Sequence, residues 1–272
     1  MKNDPFKPRK RILKRYERDL GSLVKRLRSV ASTAKDIEDL ISLFETVAKT
    51  DVFKQWSERV AFNMVRSTLV ENADDWRDAA KKGTRSRRIY ELLNKRFITH
   101  KAYNAIIEAN AEMIQTIPTT TAAMISKRAS KAAIKGQRPD QILKELQKEA
   151  PTLAKYKARR IARTEVAKAQ ASIVEIQAVE AGVYWYEWNT ANDQRVRSSH
   201  KHMDGILCRF DNPPSPEQLI GKNPQGYYNP GNIWNCRCFA TPIVSLDFIS
   251  WPAKVYINGA IRTVTRKEFE RL

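Results

Sequence analysis

Leu13, Tyr16, Leu20, Leu23, Leu27 and Val30 recur at intervals of three and four residues, an apolar stripe of helical period. The opposite face of that segment carries Lys10, Arg11, Lys14, Arg15, Arg18, Lys25, Arg26 and Arg28. Ile37, Leu40, Ile41, Phe44 and Val47 repeat the pattern, and Asp51 reads as the N-cap of a third helix built on Phe53, Trp56, Val60, Met64 and Leu69. Trp76 and the segment 89–93 predict further helix on either side of Gly83. Residues 101–117 predict another, stopped by Pro118, and the threonine run behind that proline marks a joint. A short helix should then run to about Lys135, with Gly136 past its end. Asp140 opens the next beside Pro139, and Pro151 stands where a long helix would start. Tyr156, Ile161, Val166, Ile173 and Ile176 line that helix, and Gly182 ends it. No fixed repeat of about 20 to 50 residues runs through these helices, which excludes a solenoid.

The period changes at Val183. The segment VYWYEWNT alternates and is aromatic, as a strand requires. Proline and glycine then crowd FDNPPSPEQLIGKNPQGYYNPGN, which predicts a long irregular loop. CFATPIVSL reads as a returning strand, and Asn258-Gly259 between apolar alternations predicts a hairpin followed by a short helix. The predicted fold class is α+β: a mostly helical N-terminal part, then a small mixed α/β C-terminal domain with a long irregular loop and a C-terminal hairpin. The expected division is a basic helical region over 1–117, a second domain over 118–248, and a hairpin with its helix over 249–272.

Charge sharpens this picture. Lys and Arg number 49 against 30 Asp and Glu in 272 residues, a formal net charge of +19. The first 30 residues alone hold 11 basic and 3 acidic side chains. Such an excess favours a polyanionic partner or an acidic protein surface. On the first helix it suggests a division of labour, with the leucine stripe docking on a helix and Lys10, Arg11, Lys14, Arg15, Arg18, Lys25 and Arg26 meeting phosphate or acidic side chains. No stretch approaches the roughly 20 apolar residues that span a bilayer, and the basic start has no apolar run behind it. No membrane partner is therefore expected. Three clustered cysteines argue for reduced thiols in a packing or metal role, not for an extracellular disulfide framework.

The chemistry gathers in DQRVRSSHKHMDG and, some way downstream, NPGNIWNCRCFATP. The loop between them needs something to hold it. Packing of Trp188, Tyr227, Tyr228 and Trp234 is one device. A hydrogen-bond network around Asp193, Arg195, Asp204 and the asparagines is a second. A bound metal is the third: His200, Cys236 and Cys238, with His202 or Cys208 as a fourth ligand, form a set suited to a structural zinc. Both members of an extended i, i+2 pair face one side, which would serve the C-x-C and the H-x-H alike. Against this stands a reading in which the cysteines are small buried residues and His200 a hydrogen-bonded core histidine. A catalytic reading would make His200 a general base beside Asp193 or Asp204 and a cysteine the nucleophile. No phosphate-binding glycine loop, nucleophile elbow or H-E-x-x-H accompanies it, and no enzymatic activity is expected.

The order of residues resembles a known family. Arg163-Thr164-Glu165 lie on a long helix, a strand follows with Trp188, and then come Asp193, Arg195, Arg197 and His200. Asp204-Gly205, Pro230-Gly231 and Asn235-Cys236-Arg237-Cys238 complete the series. Together they resemble phage head morphogenesis proteins of the Mu F type, the minor head or minor capsid proteins, over roughly residues 120 to 245. Cys208 and His202 have no counterpart in that series. The resemblance implies a virion protein inside the phage head, made in the host bacterial cytoplasm and bound to the portal. It would meet the packaged double-stranded DNA non-specifically, with the major capsid or scaffold protein as a further partner. The competing expectation is a zinc-dependent nucleic-acid enzyme such as a nuclease. A sequence-specific regulator ranks last, because no helix-turn-helix is evident.

Overall fold

The structure, a computed structural model, describes residues 6–80 and 99–272. The segment 89–93, expected to be helical, lies outside them. Among the described residues five helices come first: α1 (Lys10–Ser32), α2 (Ile37–Lys49), α3 (Asp51–Ala80), α4 (His100–Ile134) and α5 (Pro139–Glu180). Then follow β1 (Trp185–Asn189), α6 (Ser198–His202), β2 (Leu207–Arg209), a 3-10 turn at Gln218–Ile220, and β3 (Phe239–Pro242). A second 3-10 turn at Leu246–Phe248, β4 (Ala253–Ile257), β5 (Ala260–Val264) and α7 (Arg266–Phe269) close the chain. The α+β class expected from the periodicities is the class observed.

The chain divides into two compact units. The helical unit takes Lys10–Arg66 and Tyr103–Val166, the sheet unit Met1–Arg9, Ser67–Ala102 and Ala167–Leu272. In the helical unit α1 buries Ile12, Tyr16, Leu20, Leu23, Val24, Leu27 and Ala31. That face is rotated slightly from the predicted one, since Ile12 and Val24 go in where Leu13 and Val30 stay half-buried. Asp36 caps α2 by accepting the amide of Asp39 at 2.7 Å, and Leu40 and Phe44 enter the core. Thr50, not Asp51, serves as the cap of α3: its hydroxyl accepts the Phe53 amide at 3.3 Å. The side-chain amide of Gln147 donates to the Ala34 carbonyl at 3.0 Å, and Arg128 pairs with Glu149.

Two prolines behave differently from expectation. Pro118 does not stop a helix but lies inside α4, and Pro151 lies inside α5 instead of opening it. In α4 the buried series Ala111, Ile114, Ile117, Ala122 and Ile125 runs across Pro118 without losing its period. Two of the threonines taken for a joint donate their hydroxyls to carbonyls one turn back, Thr119 to Thr116 at 3.3 Å and Thr121 to Ile117 at 2.7 Å. On the apolar face of α5, Ile161, Val166 and Ile173 are buried as expected, while Tyr156 is 61% exposed.

The strands of the sheet unit form one five-stranded mixed sheet among the described residues, in the order β3-β1-β2-β4-β5. β1 is antiparallel to both β2 and β3, β2 and β4 are parallel, and β4 and β5 form the antiparallel hairpin. The C-terminal hairpin is thus a continuation of the sheet. Asn258 and Gly259 both have positive φ, 48° and 83°, as a tight two-residue hairpin turn demands. Alternation along β1 sends Tyr186 and Trp188 to one face and Trp185 to the other. On the first face they meet Val174 and Ala178 of α5, Phe6, Trp76, Met203, Phe210 and Tyr228. On the second, Leu207, Ile243, Val255 and Trp185 pack with Phe269 of α7. Phe6 is fixed by an edge-on contact with Trp76 at 5.1 Å and by the Gln170 side chain, which donates to its carbonyl at 2.7 Å. Asp75 pairs with Arg9, yet burial outweighs that pairing and pushes its carboxyl up to about 6.

Candidate functional site

The functional side chains sit on the short helix α6 and in the segment leading into β3. Gly182 ends α5 with φ +69° and turns the chain into β1. After β1, Thr190 donates its amide to the Asp204 carboxylate at 2.7 Å, and Gly205, at φ +76°, donates its amide to the Trp188 carbonyl at 2.8 Å. These two bonds fold Asp193–Gly205 back over the end of β1 and set α6 against the sheet. Gly205 needs its left-handed conformation to close that return.

Asp193 and the C-x-C segment are fastened together. Arg237 grips the Asp193 carboxylate with both guanidinium nitrogens, the second at 2.6 Å, and the Arg195 amide donates to the same carboxylate at 2.9 Å. The Arg237 hydrogen bond is the main reason that the Asp193 carboxyl lies well below the usual range. Arg197 donates to the Trp234 carbonyl at 2.8 Å and lies over the Trp234 ring at 5.8 Å. Arg237 stands between two buried cysteines and points the opposite way from them, as extended alternation requires.

Behind this clasp lies a buried cluster. His200 Nδ1 is 3.5 Å from Cys236 Sγ and 3.3 Å from Cys238 Sγ. On the other side of the ring, Nε2 is 3.1 Å from the Tyr228 hydroxyl. Tyr228 in turn donates to the Glu217 carboxylate at 2.7 Å, and Ser199 donates to the same group at 2.9 Å. Trp188 stands edge-on to the imidazole, with centroids 5.6 Å apart. The Cys238–Cys236 hydrogen bond splits the two thiols: it draws Cys236 well below its ordinary value and, with burial, drives Cys238 well above it. Burial, with the Glu217 hydrogen bond behind it, likewise raises Tyr228, which stays a neutral phenol.

The sequence-predicted residues do not all meet here. Cys208 lies on β2, where its thiol donates to the Ile206 carbonyl at 3.8 Å and burial pushes it up to about 12. It takes no part in the His200–Cys236–Cys238 cluster. His202 is exposed and turned away: the segment forms α6, so i and i+2 diverge by about 200° around a helix instead of facing one way. Arg163 is exposed and Glu165 buried on the part of α5 that belongs to the helical unit. Lys10, Arg11, Lys14, Arg15, Arg18, Lys25 and Arg26 are all exposed along α1. Of the aromatic side chains expected to hold the loop, Trp188 and Tyr228 are buried, whereas Tyr227 and Trp234 are exposed.

Glu217 and Ser199 escaped the sequence reading, whereas Asn229 is one of the loop asparagines expected in the hydrogen-bond network. Asn229 accepts from the Tyr186 hydroxyl at 2.9 Å and donates to the Phe210 carbonyl at 3.1 Å. With Asn232 it also hydrogen-bonds Glu175 of α5, whose carboxyl burial nonetheless raises. Nothing in a proline-rich loop marks one glutamate as buried. The position of Arg237 was readable, since the middle residue of an extended C-x-C must point away from the two sulfurs.

Comparison with known proteins locates this arrangement. Residues 123–241 match the family described as Phage Mu protein F like protein, an interval that begins on α4 and ends on β3. A protein of Haemophilus influenzae, described as an uncharacterized protein, is 26% identical over 208 residues, covering 75% of this chain and 43% of its own length. The chain therefore spans less than half of that relative. No solved structure matches the chain. Over residues 123–241, less than half of the chain, the protein is thus similar to Mu F-type phage head morphogenesis proteins.

Proposed function

We propose that a chain built on this Mu F-like domain is a minor capsid protein of a tailed phage. It acts inside the head, bound to the portal, in head assembly and in DNA packaging or ejection. The match over residues 123–241 carries the reading. Two features support its finer parts. The net charge of +19 suits residence beside densely packed DNA. Lys10, Arg11, Lys14, Arg15, Arg18, Lys25 and Arg26, seven of the eight exposed basic side chains of α1, lie on a polar face opposite the buried leucines, able to meet phosphates without reading sequence. No helix among the described residues is long and apolar enough to cross a membrane, so none calls for a bilayer partner.

The alternative of a zinc-dependent nuclease draws on the His/Cys cluster. His200, Cys236 and Cys238 are 2%, 4% and 3% exposed, which leaves no approach for a phosphodiester. That burial favours a structural part for the cluster, and no catalytic step is proposed. Co-expression with the portal protein of the same phage, followed by size exclusion, tests the main reading. The two proteins are expected to co-elute as an assembly larger than either alone. Separate elution of two folded proteins at micromolar concentration would remove the portal from the proposal.

A further inference from the structure

We propose that His200, Cys236 and Cys238 bind a zinc ion that locks the loop between α6 and β3 onto the sheet. The inference does not depend on the portal reading. Its first support is convergence: one ligand atom from each residue lies within 4.8 Å of the others. A tetrahedral zinc, with bonds of about 2.1 Å to nitrogen and 2.3 Å to sulfur, sets N and S about 3.6 Å apart. The observed separations are 3.5 and 3.3 Å.

The second support is the direction of the histidine. The Glu217 carboxylate accepts from both Tyr228 and Ser199, so the single hydroxyl proton of Tyr228 is committed to it. The Tyr228 oxygen must then accept from His200, which places the imidazole proton on Nε2. Nδ1 is left with a bare lone pair aimed between two sulfurs. This is the usual construction of a metal-bound histidine, whose far nitrogen donates to an oxygen that is itself oriented by a carboxylate.

A third observation comes from Trp188. Its buried indole nitrogen meets no nitrogen or oxygen acceptor and is directed at the Cys238 sulfur. A metal-held thiolate carries the negative charge that such a donor seeks. Two thiolates and an imidazole select zinc over the harder cations, and the two sulfur charges balance the ion inside an apolar pocket. Among the described residues no fourth His, Cys, Asp or Glu joins the cluster, and a small ligand such as water would complete the tetrahedron. The cluster ties together positions 36 residues apart in sequence, across a stretch whose only regular structure is β2 and one 3-10 turn. The ion would thus act as a staple, in line with the Asp193–Arg237 clasp beside it.

Elemental analysis of protein purified under reducing conditions and reconstituted with zinc is expected to give a single zinc per chain. His200→Ala, Cys236→Ser and Cys238→Ser should lose it, and Cys208→Ser should keep it. Chelation should lower the thermal midpoint of the wild type and leave the three cluster variants unmoved. If the cluster variants fail to fold, the wild type still decides the matter. Its cobalt form should show thiolate-to-metal charge transfer, and X-ray absorption should find two sulfurs and two lighter atoms around the ion. A reconstituted wild type that stays metal-free overturns the proposal. So does a first shell without sulfur, or loss of the metal in Cys208→Ser to the same degree as in Cys236→Ser.

Discussion

At Gly231 the backbone takes φ +98°, and a Cβ there would stand 2.9 Å from the Cβ of Ala171 and 3.2 Å from the Ala167 carbonyl oxygen. Neither neighbour can yield, since both belong to the packed face of α5. Gly231→Ala is therefore expected to destabilise the sheet unit by about 2 to 4 kcal/mol, combining left-handed strain with overpacking. Gly205 makes the contrast: it shares a positive φ of 76° but faces open space, so Gly205→Asn should cost under about 1 kcal/mol. Chemical denaturation of both variants checks the pair; equal losses would mean that steric approach is not the constraint at Gly231. The Pro230-Gly231 pair was visible in the sequence as part of a series, but its reason was not, because the reason is a helix roughly sixty residues upstream. The same limit applies to the cluster. His200, Cys236 and Cys238 were legible from residue type and spacing, whereas Glu217 and Ser199, which orient the histidine through Tyr228 and anchor the loop, carry no local signal.

Elements with strong periodicity or turn chemistry were legible in full. The hairpin followed from Asn258-Gly259, and β1 from its aromatic alternation, since both depend on nearest neighbours alone. Helix ends marked by proline were not. An interior proline costs about 3 kcal/mol, which argues for a break. Burying Ile114, Ile117 and Ile125 on one continuous face returns roughly 1.5 to 3 kcal/mol for each side chain, so the uninterrupted helix wins. Tertiary burial of that kind cannot be weighed until the partner helices are known. α7 is the opposite case, an element of one turn held by local bonds. Thr265 accepts the Glu268 amide at 3.4 Å while Glu268 accepts the Thr265 amide at 2.7 Å, a reciprocal capping box. Its role is to seat Phe269 against Trp185 and Trp251, at ring distances of 4.6 and 5.1 Å. Thr265→Ala should lose about 1 kcal/mol, and Thr265→Ser should recover most of it, measured by thermal unfolding. If Thr265→Ala unfolds at the wild-type midpoint, Phe269 alone holds the helix.

At the scale of the whole molecule the charge is the property that no single element explains. An excess of 19 positive charges opposes compaction through self-repulsion, which a polyanionic partner of the kind proposed would relieve. Nucleic acid is the partner whose contribution can be read quantitatively. Each phosphate neutralised by a lysine or arginine releases counterions, and the logarithm of affinity for duplex DNA falls with the logarithm of salt at about −0.9 per contact. If Lys10, Arg11, Lys14, Arg15, Arg18, Lys25 and Arg26 on the exposed face of α1 make the contacts, these seven side chains set a limiting slope of about −6. Fewer simultaneous contacts would give a shallower line. Replacing Lys14, Arg15 and Arg18 together with glutamine should flatten that slope by about 3 and leave affinity independent of DNA sequence. These three side chains are exposed on α1, so circular dichroism should remain that of the wild type. Binding titrations at several salt concentrations on two unrelated duplexes read both quantities. A slope unchanged by the triple substitution would move DNA contact away from α1, and a clear preference for one duplex would point to base readout instead of phosphate contact.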